Sequence, residues 1–175
     1  REIEPSKGFI KTGGKVEMAY FDQNREILKD GETPISILCP NGGDTVKING
    51  HTKHVVSYLN DFLFSKKSCL TRVSSLSGGE QSRLLLAKTF TGNHNFLILD
   101  EPTNDLDIET LEVLQEAISH YNGTLIIASH DRDFLDKTVT NILSFEKEGI
   151  IEKYTGGYSD FIIQRKNLKP YIKID

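Results

Sequence analysis

The 175-residue chain is poor in several residue types: it has no tryptophan, one methionine, two cysteines and five prolines. No apolar run approaches the ~18–20 residues that cross a bilayer, and no signal-peptide pattern opens the chain. Cys39 and Cys69 stand apart, without Cys-x-x-Cys spacing. This arrangement predicts two reduced, structural thiols in a cytoplasmic protein.

An excess of basic residues is also absent. The chain has 21 Lys and Arg against 25 Asp and Glu, a net charge of -4, which argues against a stand-alone nucleic-acid binder. His51 and His54 form an isolated His-x-x-His pair, for which a polar turn is a better interpretation than a metal site. The first residue is Arg1 rather than Met, so we interpret the chain as a fragment or a processed product.

The sequence contains no Gly-x-x-x-x-Gly-Lys-Ser/Thr phosphate-binding loop. The stretch GFIKTGGK, residues 8–15, has glycines and a lysine but fails the pattern. Val16 follows Lys15 where a hydroxyl is required, and Phe9 lies five residues before Gly14 where a glycine is required. We therefore expect a glycine hairpin at this position.

Beyond Gly92, short apolar runs alternate with segments whose apolar residues recur at helical spacing. Continuous apolar strands separated by helices predict an α/β fold with a mostly parallel sheet covered on both faces. The tail, residues 158–175, predicts a helix that ends before Pro170. The predicted elements are strands at 9–11, 16–21, 96–99 and 125–128, a helix that begins after Leu76 and stops at Gly92, helices at 107–121 and 131–136, and an antiparallel pair at 138–145 and 150–154.

Leu76-Ser77-Gly78-Gly79-Glu80 has the spacing of a helix start. Ser77 and Glu80 match a capping box, in which each side chain bonds the other residue's backbone N–H. Two glycines in the first turn leave N–H groups accessible, so a phosphate can approach the positive end of the helix dipole. A tight loop that enters a helix, with no ligand, explains the pentapeptide equally well.

Polar side chains follow the apolar strands. Asp100 and Glu101 come directly after residues 96–99, at the strand end where open α/β sheets bind ligands. One carboxylate suits Mg²⁺, and the next can orient and polarise an attacking water. His130 follows the next strand and can hydrogen-bond a phosphate oxygen or that water. Gln23 ends the N-terminal strand and can reach the same metal. Loop capping, or a structural histidine, is the alternative for each.

Taken together, LSGGE, FLILDEPTNDLD and SHDR, in this order, closely resemble the motifs of the ATP-binding cassette (ABC) family. The resemblance implies the C-terminal part of a P-loop ATPase that uses ATP and Mg²⁺. It makes Asp100 the Walker B metal ligand, Glu101 the catalytic glutamate and His130 the switch histidine. Gln23 becomes the Q-loop glutamine and a second metal ligand. The signature comprises Ser77, Gly78, Gly79 and Glu80, and the D-loop includes Asn104, Asp105 and Asp107.

DEPTNDLD, SHDRDFL and YTGGYSDF, with NGHTKHVVSYLNDFLF before the signature, resemble more narrowly the ABC-F subgroup and the second cassette of a tandem member. The subgroup is soluble and acts on ribosomes, with nucleic acid contacted through segments outside these residues. The implied organisation is a partial cassette at 1–157, with a helical signature subdomain at 24–92 and core sheet at 1–23 and 93–157. Residues 158–175 would form a C-terminal helix and linker.

The chain departs from the family in one respect, because the Walker A strand and loop are missing from its 175 residues. We expect the isolated chain to bind ATP very weakly and to lack turnover. The missing strand leaves unpaired backbone N–H and C=O groups in the sheet, so we also expect self-association or a partly open sheet. The resemblance also implies a second cassette in the full protein as a partner. Two other functions remain open: a nucleotide-binding subunit of a membrane transporter, and a truncated, non-enzymatic interaction module.

Overall fold

The computed structural model describes residues 5–21, 31–104, 106–146 and 149–168. Within these ranges no helix is both long and apolar enough to span a bilayer. Two short 3₁₀ turns, Ser68–Leu70 and Val73–Ser75, precede the third helix. The elements are β1 (Met18–Phe21), α1 (Pro34–Leu38), β2 (Thr45–Ile48), β3 (His51–His54), α2 (Val55–Asp61), α3 (Gly78–Thr89), β4 (Phe96–Asp100), α4 (Ile108–Ser119), β5 (Thr124–Ala128), α5 (Arg132–Thr138), β6 (Asn141–Phe145), β7 (Ile151–Thr155) and α6 (Tyr158–Leu168).

The central sheet has three parallel strands in the order β1-β4-β5. Phe21 lies opposite Leu99, and Asp100 lies opposite Ala128, so the three strands end at one rim of the sheet. This confirms the predicted α/β fold with a parallel sheet and helices. The segments between the strands form helices because their apolar residues recur every three or four positions, which gives each helix one apolar face.

One face of this sheet is buried and the other is open among the described residues. Phe21, Leu97 and Leu99 join the main core with residues of α3 and α4, such as Leu86 and Leu114. On the opposite face, Met18, Tyr20 and Ile126 are 57, 55 and 45% exposed. Successive side chains of a strand point to opposite faces, so the apolar runs that predicted burial on both faces are buried on one only.

The N-terminal part differs from the sequence-based expectation. Residues 9–11 form no strand in the described chain, and Phe9 is 87% exposed. The Val16 N–H does donate to the Gly13 carbonyl, 3.1 Å away, so a glycine turn is present. The hairpin prediction is nevertheless wrong, because β1 begins only at Met18 and pairs with β4 instead. The alternation of apolar and polar residues within one segment does not show which distant strand that segment pairs with.

The expected polar turn at His51 and His54 is also wrong, because both residues lie in β3. β3 pairs with β2 in an antiparallel hairpin. The turn is Asn49-Gly50, where φ is 50° and 82°, respectively. Two consecutive left-handed residues are what a two-residue hairpin requires, and Asn-Gly is the favoured pair.

The second half of the chain follows the predictions closely. Strands β4 and β5, helices α4, α5 and α6, and the antiparallel pair β6–β7 all occur where the pattern placed them. The division into a helical subdomain at 24–92, a core at 1–23 and 93–157, and a tail at 158–175 stays a prediction. Cys39 and Cys69 are free and buried, and burial raises the pKa of both thiols, as expected for structural cysteines.

Candidate active site

The rim of the sheet presents two adjacent carboxylates. Asp100 is the last residue of β4, and Glu101 follows it with φ at 46°, in the left-handed region. The Glu101 N–H donates to the Ala128 carbonyl at 2.8 Å, which ties this residue to the end of β5. A left-handed glutamate costs on the order of 1–3 kcal/mol, so surrounding contacts must hold it there. Asn104, from the predicted D-loop, donates its N–H to the Glu101 carbonyl at 3.2 Å.

His130 contacts Glu101 directly. The His130 Nδ1 lies 2.7 Å from Glu101 Oε2, although 29 residues separate them in the chain. The two meet because β4 and β5 are parallel neighbours, so the residues after each strand share one rim. The His130 side chain is 75% exposed and that of Glu101 36%, so the pair faces solvent. The structure therefore brings together the two residues predicted to be catalytic.

A second contact joins the same two loops. The Thr103 and Ser129 hydroxyl oxygens lie 3.3 Å apart. Thr103 comes two residues after Glu101, and Ser129 immediately precedes His130. Ser129 Oγ also accepts the Asp131 N–H at 3.1 Å. These bonds restrict the loop that carries His130. Sequence reasoning did not single out Thr103 or Ser129.

Asp100 has a partner on the other neighbouring strand. The Tyr20 O–H donates to Asp100 Oδ2 at 3.1 Å. Sequence reasoning missed Tyr20. The alternation of residues 16–21 placed it on a strand, but only the pairing of β1 with β4 brings it beside Asp100.

Two predicted site residues, Gln23 and Asp105, lie outside the described residues. β1 ends at Phe21, at the same rim as Asp100. The roles of Gln23 in the metal site and of Asp105 in the D-loop stay predictions.

The signature residues begin α3. Ser77 is the N-cap, and its hydroxyl oxygen accepts the Glu80 N–H at 3.3 Å. In return, Glu80 Oε2 accepts the Ser77 backbone N–H and its O–H, each at 2.9 Å. The hydrogen bond from the Ser77 backbone is the main reason why the pKa of the Glu80 carboxyl lies below its usual value. The predicted capping box is confirmed, and Gly78 and Gly79 form the first turn.

The start of α3 packs against the start of α4. Asp107 is the N-cap of α4 and accepts the Thr110 N–H at 2.8 Å. Arg83 Nη1, from α3, donates to Thr110 Oγ1 at 3.2 Å and lies 3.8 Å from Asp107 Oδ2. A Cβ at Gly79 would sit 3.3 Å from that Oδ2 atom, so glycine allows the close approach. Hydrogen bonds from Thr110, with Arg83 nearby, lower the pKa of the Asp107 carboxyl.

The donor set suits a magnesium ion held together with phosphate. Mg²⁺ normally takes one or two protein carboxylates and completes its shell with water and phosphate oxygens. Asp100 is exposed at the rim and has hydrogen-bond geometry that leaves lone pairs for a cation. The described residues contain no group of three or more His, Cys, Asp and Glu side chains that could hold a metal alone. The arrangement fits Mg²⁺ bound with a nucleotide.

Comparison with known proteins places these observations in a family. The family model described as "ABC transporter" matches residues 9–104, more than half of the chain. The chain is 51% identical over 166 residues to the ATP-binding protein Uup of Haemophilus influenzae, covering 95% of this chain and 26% of that protein. It is 50% identical over 159 residues to Uup of Escherichia coli K12, covering 91% of this chain and 25% of that protein.

A second group of relatives and a solved structure agree. The chain is 40% identical over 158 residues to the energy-dependent translational throttle protein EttA of Haemophilus influenzae, covering 90% of this chain and 28% of that protein. It thus spans about a quarter of the length of these relatives. Its fold is similar to the ATP-binding cassette MJ0796, solved as a dimer with ADP and Pi, with a TM-score of 0.59 at 16% identity, covering 80% of this chain and 63% of that one.

Proposed function

This chain belongs to the ABC transporter family of ATP-binding domains, and from that premise we propose that it supplies part of a magnesium-dependent ATPase site. Glu101 orients and polarises the attacking water, and His130 holds Glu101 and contacts the γ-phosphate side of the site. The observation that carries this proposal is the 2.7 Å contact between His130 Nδ1 and Glu101 Oε2. A carboxylate and an imidazole in hydrogen-bond reach form a base and its positioning group.

The other predicted residues would act around this pair. Asp100 and Gln23 would hold Mg²⁺, which when bound neutralises phosphate charge and fixes its orientation. The fixed Asp100 carboxylate at the end of β4 supports this assignment. We assign no direct role in water activation to Asp100, since Glu101 rather than Asp100 contacts His130.

The signature residues would serve a nucleotide in a facing cassette. Ser77, Gly78, Gly79 and Glu80 open α3, where N–H groups and the helix dipole favour an anion. The contact of Gly79 and Arg83 with Asp107 links this helix to the segment that follows Glu101. Asn104, Asp105 and Asp107 would therefore form a connection between the signature and the hydrolysis site.

For the whole protein we propose an ABC-F ATPase with two cassettes in one chain that acts on ribosomes in the cytoplasm. The support is similarity to Uup and to a protein whose name states a translational role, EttA. A second cassette and the ribosome would be its partners, with nucleic acid contacted through other segments.

The decisive experiment replaces Glu101 in the longest natural protein that contains this chain. Glu101→Gln keeps the size of the side chain and one acceptor oxygen but removes its charge and basicity. We expect kcat for ATP hydrolysis to fall by about 10²–10⁴-fold, the usual contribution of a general base, while ATP affinity is retained. Steady-state phosphate release and nucleotide-binding titrations measure the two quantities.

Glu112→Gln is the matched control, because Glu112 is an exposed residue of α4. It should leave turnover unchanged within about twofold, as expected for a surface substitution. Equal turnover in the Glu101→Gln protein and the unaltered protein would disprove the assignment of Glu101.

A further inference from the structure

Tyr20 and Asp100 meet across neighbouring strands. β1 and β4 are parallel, with Tyr20 opposite Ile98, so Asp100 lies two residues further along β4. Residues two apart on a strand share a face, which places the side chains of Tyr20 and Asp100 on the same side of the sheet. The Tyr20 O–H lies 3.1 Å from Asp100 Oδ2 and donates to it.

We propose that Tyr20 is a positioning residue for the divalent cation, acting through Asp100. This inference rests on the proposed function, in which Asp100 is the metal ligand. Groups that hydrogen-bond a metal ligand fix its orientation, and their loss typically weakens metal binding by about 10–100-fold. A neutral hydroxyl suits this role because it orients the carboxylate without neutralising its charge. One hydrogen bond also occupies only one of roughly four lone-pair directions of a carboxylate.

The surroundings of Tyr20 favour a role for its hydroxyl over a role for its ring. Tyr20 is 55% exposed, on the open face of the sheet, whereas its strand neighbour Phe21 is 4% exposed and lies in the core. Phe21 thus anchors β1, and removal of the Tyr20 hydroxyl leaves no buried cavity. Tyr20→Phe therefore removes the hydroxyl that donates to Asp100 and keeps the aromatic ring.

A purely structural role is the competing explanation, since the same bond also joins β1 to β4. The two roles differ in what they change. A positioning role alters cation affinity at constant fold stability. A structural role alters the stability of the sheet, and with it the binding of nucleotide in the absence of metal.

The test uses the longest natural protein that contains this chain, with Mn²⁺ as the probe. Electron paramagnetic resonance of free Mn²⁺ at fixed ATP, corrected by a protein-free titration of Mn²⁺ with ATP, gives the cation affinity of the protein–nucleotide complex. An ATP titration in EDTA gives the metal-free nucleotide affinity. For Tyr20→Phe we expect about 10-fold weaker Mn²⁺ binding. Metal-free ATP affinity should be unchanged, whereas the Mg²⁺ concentration that gives half-maximal turnover should rise by a similar factor.

Tyr121→Phe is the matched control, because it also deletes one hydroxyl bond, to the His94 carbonyl at 3.2 Å, away from Asp100. It should leave Mn²⁺ affinity unchanged.

Asp100→Asn separates the two proposals. If Asp100→Asn weakens Mn²⁺ binding and Tyr20→Phe does not, Tyr20 has no positioning role. If neither variant changes Mn²⁺ binding, the proposed metal role of Asp100 is itself wrong. Equal losses of metal-free ATP affinity and Mn²⁺ affinity in Tyr20→Phe would assign Tyr20 a structural role instead.

Discussion

At the scale of single residues, the rim of the sheet shows why neighbouring carboxylates can do different work. Asp100 ends β4 and contacts Tyr20 on one side, whereas Glu101 leaves the strand with a left-handed backbone and contacts His130 on the other. The two carboxylates are adjacent in sequence, but the partner of Asp100 lies on β1 and the partner of Glu101 lies in the loop after β5. Residue type alone would assign them the same chemistry, and their partners separate them.

His94 provides a residue-scale prediction on pH. Its ring stacks on Tyr121, with ring centroids 5.8 Å apart, and its buried Nε2 has no hydrogen-bond partner among the described residues. Burial lowers the pKa of His94 below its ordinary value of 6.5, with Glu17 opposing the shift. The unfolded chain therefore binds a proton more readily than the folded chain. The contribution of neutral His94 to the free energy of unfolding is fully present above pH 6.5. It is lost as the pH falls through the lower pKa that His94 has in the folded state.

We expect His94→Phe, which keeps an aromatic ring against Tyr121, to reduce this loss. Urea unfolding between pH 8 and pH 5 measures it as the change in the free energy of unfolding. His120→Phe is the control, since His120 is exposed. The same pH dependence in His94→Phe and in the unaltered chain would contradict the prediction.

At the scale of elements, several motif residues also build helix ends. Ser77, Asp107 and Asp131 are the N-caps of α3, α4 and α5, each accepting a backbone N–H from the first turn. Ser and Asp are preferred at such positions whether or not a ligand binds. Each motif taken alone is therefore explained by folding. Their order and the meeting of β4 with β5 are what point to a shared site.

The junction of α5 and α6 gives an element-scale prediction. Asp136 accepts the N–H and O–H of Ser159, at 2.8 and 2.6 Å, which lowers the pKa of Asp136 and draws the two helices together. A Cβ at Gly157 would lie 2.9 Å from the Asp136 carbonyl oxygen and 3.0 Å from its Cα. Gly157→Ala should therefore force backbone apart and destabilise the fold by about 1–3 kcal/mol.

Urea denaturation should show this loss of stability as a lower urea concentration at the midpoint of unfolding. Gly14→Ala is the matched control, since an added Cβ there meets nothing within 4 Å. Its effect should stay within about 0.5 kcal/mol, as for other unconstrained surface sites. Identical midpoints for the two variants would show that the contact between α5 and α6 accommodates the added methyl group without loss of stability.

At the scale of the whole molecule, the open face of the sheet is the main departure from a closed α/β domain. Met18, Tyr20 and Ile126 expose apolar surface there, and β5 pairs only with β4 among the described strands. Exposed strand edges and apolar faces favour association with another chain.

For the isolated 175-residue chain we therefore predict self-association and weak nucleotide binding. Light scattering should give a mass that rises with concentration above the 19.7 kDa of the monomer, and Ile126→Glu should lower it. Ile163→Glu is the control, because Ile163 is similarly exposed but lies on α6.

Titration with Mg-ATP should show affinity weaker than micromolar, since the sequence holds no Walker A loop. A compact monomer with micromolar affinity would refute both expectations.

Much of this molecule could be inferred without coordinates. The capping box at Ser77 and Glu80, the strand before Asp100 and the helix after Asp107 depend on neighbours within about four residues, and local chemistry decides them. The three motifs likewise indicated the ABC family, which the comparisons show. The hairpin turn at Asn49-Gly50 was equally local and was overlooked.

Only the tertiary structure decided which strands are neighbours and which faces are covered. Tyr20 meets Asp100, and His130 meets Glu101, because β1, β4 and β5 pair in parallel across gaps of many residues. The same pairing placed Phe21 in the core and left Ile126 exposed. Periodicity specifies that a strand has two different faces, but long-range packing selects the neighbour of each face, and that selection is absent from any local pattern.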